Sequence, residues 1–442
     1  MYRKWSLMTS ILALVTLLLL TACGGSSTNT SKTGNSTGLL DPNKKYTVSF
    51  WEVFATGANK TSLEALTKQY MQVHPNVTVT LQSFDSYATL KTKLTAAIAA
   101  GKPPTLSQVY ESWATQYQQA GSIVSLQPFI AGKNGLSQND LADFYPSLLK
   151  DGQINGTQYM LPFNKSDLVM YYNADVLQKL GITPPTTIQQ LESDLTKVTK
   201  ADGSQWGMSF TPSSDEWSIL YKSFGGGDFA SGDGKSVAFA SDANAKSAKQ
   251  ALAELVPYVK SGAVHVTKGF NWQNDFASQK SVFALSTIAS YPFIKQAVGT
   301  TFRFTEVPVP AGPAGQFTVL YGTNLVLFAG TAADTQAAGW DYMKFLTSTQ
   351  TNEAFVQQTG YMPVRQSAFN STALQGYYAK APAGKAGPQS LPFAFVDSTL
   401  PAWDTCRDII ATGYTSVLVG QSTTDAALTK MAQSCNSVLA QG

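Results

Sequence analysis

Two histidines, three cysteines and 28 acidic side chains are what this 442-residue chain offers for nucleophilic, metal or acid–base chemistry. His74 lies in the His74-Pro75-Asn76 turn and His265 far along the chain, so neither is placed to activate a nucleophile. A G-x-S-x-G elbow is absent. Scattered histidines and cysteines also make no tetrahedral ligand set, and neither a metal nor a cofactor is expected. Glycoside hydrolysis needs two carboxyl groups facing each other across the scissile bond; Glu52 with Glu111 or Asp228 can be nominated, yet no spacing favours that choice. A secreted glycoside hydrolase is therefore only the enzymatic alternative. Gly225-Gly226-Gly227 lacks the Lys-Ser or Lys-Thr that follows a phosphate-cradling loop and reads as a flexible turn. The residue types that remain plentiful, Tyr, Trp, Ser, Thr, Asn and Gln, suit recognition by hydrogen bonds and ring contacts.

Such recognition needs elements that hold side chains at one edge. Tyr46, Val48 and Phe50 alternate with polar residues as a strand would, and Leu63, Leu66, Tyr70 and Val73 recur at helical spacing. After Pro75-Asn76, the alternation of Val77, Val79 and Leu81 predicts a second strand. Leu90, Leu94, Ala97 and Ile98 mark another helix, closed by Gly101 and Pro103. Strand, helix, strand, helix, strand implies a parallel α/β sheet, in which ligands bind beyond the carboxyl ends of the strands. Trp51 and Glu52, Phe84 to Tyr87, and Tyr110 with Glu111 are the residues so placed.

The N-terminal segment says where the protein works. Arg3 and Lys4 precede an apolar run from Ile11 to Leu20, which stops at Leu20-Thr21-Ala22-Cys23. This predicts a secretory signal over residues 1–22, because the run is shorter than the ~20 residues a permanent membrane helix requires. A cysteine after a Leu-x-Ala triplet resembles the lipobox of bacterial lipoproteins, which implies lipidation at Cys23 and an extracytoplasmic body anchored to the cell membrane. Residues 23–45, rich in Ser, Thr, Asn and Gly, read as a flexible tether. Without Arg3 and Lys4 the 31 basic residues become 29 against 28 acidic ones, so no basic surface for nucleic acid is implied. Export permits disulfides. Cys406 and Cys435 remain after Cys23, either as one bridge or as two separate buried thiols.

The middle of the chain carries a resemblance. Tyr159-Met160-Leu161-Pro162-Phe163-Asn164, the strand Leu168 to Asn173 and Pro184-Pro185-Thr186-Thr187 look like the lobe crossover of the family 1 extracellular solute-binding proteins. Val319 to Leu325 and Thr359-Gly360-Tyr361-Met362-Pro363-Val364 resemble later landmarks of that family. The resemblance implies a two-lobed α/β periplasmic-binding-protein-like fold of type II, with a hinge between lobes and a ligand cleft at their interface. It implies a first lobe of residues 46–164 plus 319–349 and a second of 165–318 plus 350–442, working as a monomer with an ABC permease in the cytoplasmic membrane.

Within the family, Gln108-Val109-Tyr110-Glu111, Pro162 to Ser166 and Thr359-Gly360-Tyr361 resemble the glycerol-3-phosphate-binding subgroup. That resemblance implies ligand contacts at Tyr87, Glu111, Ser166, Ser290, Gly322, Tyr361 and Arg407, with Trp217 as a ring near the cleft. It implies glycerol-3-phosphate or a glycerophosphodiester such as glycerophosphocholine as ligand. Arg407 would fork onto the phosphate, Ser166, Ser290, Tyr361 and the Gly322 N–H would donate to it, and Glu111 beside Tyr87 would accept from glycerol hydroxyls. Trp51, Trp217 and Trp272 are rings for an apolar or quaternary-ammonium part. Three positions depart from the subgroup pattern: Lys165 stands for a serine, Tyr321-Gly322 for a Gly-Gly pair, and Tyr291-Pro292 for small residues.

Each of these residues also has a plainer role open to it. Glu111 fits an exposed carboxylate at a helix start, Arg407 a surface pair with Asp404 or Asp408, and the aromatic residues core packing. A sugar- or oligosaccharide-binding protein of the same fold is the competing function. It predicts carboxylates and tryptophans dominating the cleft, whereas the phosphate reading predicts dominance by Arg407.

Overall fold

The computed structural model describes residues 38–441. The expected signal segment 1–22 and the lipidation site Cys23 lie outside the described residues. Asp41 and Lys44, at the far end of the expected tether, are held to the body. Asn76 Nδ2 donates to the carbonyls of Asp41 and Lys44, at 3.0 and 3.1 Å, and Leu40 packs against the first core.

Among the described residues twelve strands are interspersed with helices: β1 Tyr46–Glu52, β2 Val77–Ser83, β3 Leu106–Val109, the short pair β4 Gln153–Ile154 and β5 Thr157–Gln158, β6 Leu161–Asn173, β7 Trp206–Phe210, β8 Val264–Val266, β9 Ser281–Thr287, β10 Phe304–Pro308, β11 Thr318–Leu327 and β12 Ala394–Phe395. One continuous path runs β2-β1-β3-β11-β6-β9-β7-β8. Its two ends, β2-β1-β3 and β9-β7-β8, are parallel, as strand–helix–strand connections require. Its centre is antiparallel, and there the long strands β6 and β11 cross between halves. Leu161 to Asp167 of β6 pair with β11, and Leu168 to Tyr172 pair with β9.

Each half encloses its own apolar core. Tyr46, Val48 and Phe50 point inward from β1, where Leu63, Leu66 and Tyr70 of helix Gly57–Val73 meet them. Val73, expected on that apolar face, is exposed instead. The second half gathers Met208, Phe210, Trp217, Tyr221, Trp403, Ile410 and Tyr414. Helix Thr349–Thr359 departs from the boundary implied at residue 350. It packs on helix Gly57–Val73, and its Phe355 stacks on Phe163 at 5.0 Å, inside the first core.

Gly322 shows why the centre can be crossed so closely. Its φ is +85°, and a Cβ there would lie 1.9 Å from the Asn164 carbonyl oxygen of β6. Any other residue would force the two strands apart.

Candidate ligand cleft

Strand ends deliver the first wall of a cavity of about 290 Å3. Beyond β2, Ser86 caps a helix by accepting from the Thr89 N–H, and Tyr87 opens that helix. Beyond β3, Glu111 opens helix Glu111–Gln119, bringing Tyr110, Ser112 and Trp113 to the same edge. Tyr87, Tyr110 and Trp113 meet edge to face, with centroids 4.9 and 5.3 Å apart along the series. The crossing strand β11 contributes Leu320 and Tyr321. Helix Trp403–Leu418 and the segment before it supply the opposite wall: Asp397, Ser398, Trp403, Asp404, Arg407 and Asp408.

Glu111 is not an exposed helix-start carboxylate. Its Oε1 accepts from Lys165 Nζ at 2.9 Å and from Asn324 Nδ2 at 2.8 Å. Lys165, buried on β6, also reaches the buried carboxylate of Asp151 and the Gly322 carbonyl. Two carboxyls thus share one ammonium. Burial and the neighbouring Asp151 push Glu111 up to about 8 against the pull of Lys165. Asp151 goes the other way: burial raises it, but Lys165 and hydrogen bonds from Glu111 and Asn324 outweigh that and leave it below its ordinary value. At neutral pH the proton sits on Glu111, and the trio carries no net charge.

Arg407 lines the cavity but pairs with neither Asp404 nor Asp408. Its Nη2 donates to Asp215 Oδ1 at 2.5 Å and its Nη1 to Asp397 Oδ2 at 3.0 Å. Tyr321 completes the arrangement by donating to the other Asp215 oxygen. Burial raises Asp397 despite the guanidinium. Asp404 instead reaches the first half, accepting from Lys91 Nζ at 2.7 Å, Ser112 Oγ at 2.8 Å and Trp113 Nε1 at 2.6 Å. Burial alone would raise its pKa, yet these donors hold it below the ordinary carboxylate value.

Of the eight residues proposed to touch ligand, Tyr87, Glu111 and Arg407 line this cavity. The other five lie elsewhere. Trp217 is fully buried in the second core, stacked on Tyr221 at 5.2 Å, with Nε1 donating to the Ala248 carbonyl. It packs that core and presents no ring to the cleft. Ser166 is buried on β6 opposite Tyr321, and Ser290 bonds Ser286 at 2.9 Å. Gly322 serves the strand crossing. Tyr361 stacks on Phe355 at 5.7 Å and borders a separate, smaller cavity. Among the further tryptophans, Trp51 packs on Phe84 and Trp272 is buried in a third core, so neither covers the cavity.

Tyr110, read in the sequence beside Glu111 at a strand end, lines the cavity, whereas other cavity residues went unread. Trp113 stands two residues beyond Glu111 and was within reach of that rule; Trp403 and Asp397 depend on how distant segments meet, for which the sequence has no local signal. Glu52, one half of the enzymatic nomination, is buried, accepting from the Phe54 N–H and the Ser83 hydroxyl. Cys406 and Cys435, one reading of which was a bridge, are both thiols in the structure. They face each other across two packed helices, Cys435 Sγ lying 3.7 Å from the Cys406 carbonyl oxygen, and the neighbouring thiol and burial push Cys435 up.

The sequence profile of the bacterial extracellular solute-binding proteins matches residues 65–385. The glycerol-3-phosphate-binding periplasmic protein UgpB of Rhizobium meliloti (strain 1021) is 24% identical over 421 residues, covering 88% of this chain and 93% of its own. Among solved structures, the GacH receptor of Streptomyces glaucescens, solved unliganded and with acarbose, superposes with a TM-score of 0.76 at 20% identity, covering 89% of this chain and 98% of its own. UgpB from Mycobacterium tuberculosis, in complex with glycerophosphocholine, superposes with a TM-score of 0.74 at 20% identity, with the same coverage of 89% and 98%. The two halves are therefore the lobes of the maltose-receptor type of fold. The chain belongs to the bacterial extracellular solute-binding proteins, the ligand-capturing components of ABC importers, and is a receptor and not an enzyme.

Proposed function

We propose that this receptor captures a zwitterionic glycerophosphodiester, of which glycerophosphocholine is the type, in the cavity between the lobes. The observation that carries this reading is the charge of the wall. Asp397, Asp404 and Asp408 line it with one guanidinium, Arg407, which Asp397 and Asp215 already hold, while the protonated Glu111 adds no charge. Such a wall repels a dianionic phosphomonoester. A phosphodiester carries a single negative charge, which Arg407 can share with Asp397, while a quaternary ammonium on the same ligand answers the surplus of carboxylates. Tyr110, Trp113 and Trp403 give that ammonium aromatic surface, and Glu111 with Tyr87 accepts and donates to glycerol hydroxyls.

Ligand bridging the two walls would favour the closed arrangement in which Asp404 meets Trp113, and closure would signal to the permease. We place the body outside the cytoplasm, held to the membrane through Cys23, as a monomer.

A neutral sugar is the second reading, favoured by the same rings and carboxylates and by the acarbose complex of the GacH receptor. Titration calorimetry with glycerophosphocholine, glycerol-3-phosphate and maltose separates the cases. Heat with glycerophosphocholine and little with glycerol-3-phosphate is expected; heat with maltose alone overturns the proposal.

A further inference from the structure

A second cavity, of about 10 Å3, shares no lining residue with the ligand cleft. Its volume admits one particle the size of a water molecule. Glu306 of β10 lines it together with Tyr291, Tyr361, Tyr377 and Tyr378. Glu306 is 5% exposed and Tyr378 1%, yet neither carboxyl oxygen of Glu306, nor the Tyr378 hydroxyl, has a hydrogen-bond partner; the Tyr171 hydroxyl neighbours the carboxyl but donates to the Thr287 carbonyl instead. Asp167 adds to the anomaly. Glu306 stands opposite Tyr171 in the ladder, and Asp167 lies on the same face of β6 as Tyr171, fully buried with both oxygens unpartnered. Buried polar groups are almost always satisfied, so this concentration of unanswered acceptors beside a void calls for an occupant.

The lining chooses its kind. Acceptor oxygens and tyrosine rings both favour positive charge. A divalent ion demands six or more oxygens and sodium about as many, which this cavity does not offer, whereas ammonium is satisfied by a few acceptors and by ring faces. A choline head is too large. Lys295 and Lys385 approach the rings of Tyr291 and Tyr378 at 6.0 and 5.9 Å, but neither reaches Glu306. We propose that the cavity binds one monovalent cation of ammonium size, held by the Glu306 carboxylate and the Tyr378 hydroxyl and enclosed by the tyrosine rings. The site does not depend on which solute the receptor transports.

Burial also raises Glu306 well above its ordinary range, so the competing occupant is a neutral water beside a protonated acid. Thermal unfolding of the full chain decides between them, at constant ionic strength in sodium, ammonium or tetraethylammonium chloride. The proposal expects a saturable rise in Tm of about 2 °C or more with ammonium and none with sodium or tetraethylammonium. Glu306→Gln should lose that ion dependence, and Tyr378→Phe should shift its midpoint several-fold upward. Equal Tm in all three salts overturns the site, as does an ion dependence that survives Glu306→Gln. If Glu306→Gln does not fold, wild-type crystals soaked in rubidium chloride give the answer: an anomalous peak in the cavity supports the site, and an ordered water without anomalous signal refutes it.

Discussion

Asp404 Oδ2, in the first turn of helix Trp403–Leu418, accepts the indole Nε1–H of Trp113, in the first turn of helix Glu111–Gln119, at 2.6 Å. Two helix starts, one from each lobe, are joined across the cleft by this bond and by those from Ser112 and Lys91 to the same carboxylate.

This contact spans the two walls of the cleft, so its loss should shift the population toward a more open form. Asp404→Asn keeps the size of the side chain and removes its charge. A loss of about 1–3 kcal/mol of ligand affinity is expected, with a larger radius of gyration in small-angle scattering without ligand. Lys91→Ala should do much less, because that ammonium is about a third exposed. Unchanged scattering in Asp404→Asn would show that the latch does not hold the lobes.

Removing Arg407 acts twice. Arg407→Ala takes away the proposed phosphate partner and strands Asp215 and Asp397 as buried neighbours without a counter-charge. We expect glycerophosphocholine affinity to fall by about 2–5 kcal/mol in calorimetry. The double variant Arg407→Ala, Asp397→Asn should recover stability but not affinity. Recovery of both would assign Arg407 a purely structural role.

The Glu111 trio gives stability a pH signature. In the fold Glu111 keeps its proton up to about 8, against an ordinary value of 4.5, so between those limits the folded state binds more protons than the unfolded state. Stability from this group is therefore lost as pH rises through that window. Asp151, shifted downward, changes its contribution only in acid and does not offset the effect. Glu216 and Glu254, raised to about 7 and 8, slope the same way, so the measurement is a difference. Between pH 5.5 and 8.5, urea midpoints of the wild type should fall more than those of Glu111→Gln. Parallel curves would contradict a proton on Glu111.

Tryptophans in different places should fail differently. Trp217→Ala should destabilise the second lobe by about 3–5 kcal/mol and leave the affinity of the folded fraction unchanged. Trp113→Phe keeps most of the ring area but loses the indole N–H, and should weaken ligand binding with little change in Tm. The reverse pattern would restore Trp217 to the cleft.

How far the sequence led depends on the distance over which each feature is determined. Alternation at Tyr46, Val48 and Phe50 and helical spacing at Leu63, Leu66 and Tyr70 are local, and the β2 and β3 ends indeed present Tyr87 and Glu111. Arg407 was legible as a type of residue but not as a partner. Its carboxylates come from Asp215, 192 positions away, and from Asp397, on a segment that packs only in the folded lobe. Lys165 was noted as a departure from a serine, while its burial under Glu111 depends on the crossing of β6 and β11. Trp217 failed because position beside a cleft-forming helix start does not say which way a ring turns; Phe239 and Phe229 hold it inward.

The segment leading into β1 is fastened to the first lobe alone, by Asn76 to the Asp41 and Lys44 carbonyls and by the ion pair of Lys44 with Asp334. Any pull arriving along the chain from upstream is therefore borne by that lobe. We therefore propose that the other lobe is the one that swings when the cleft opens.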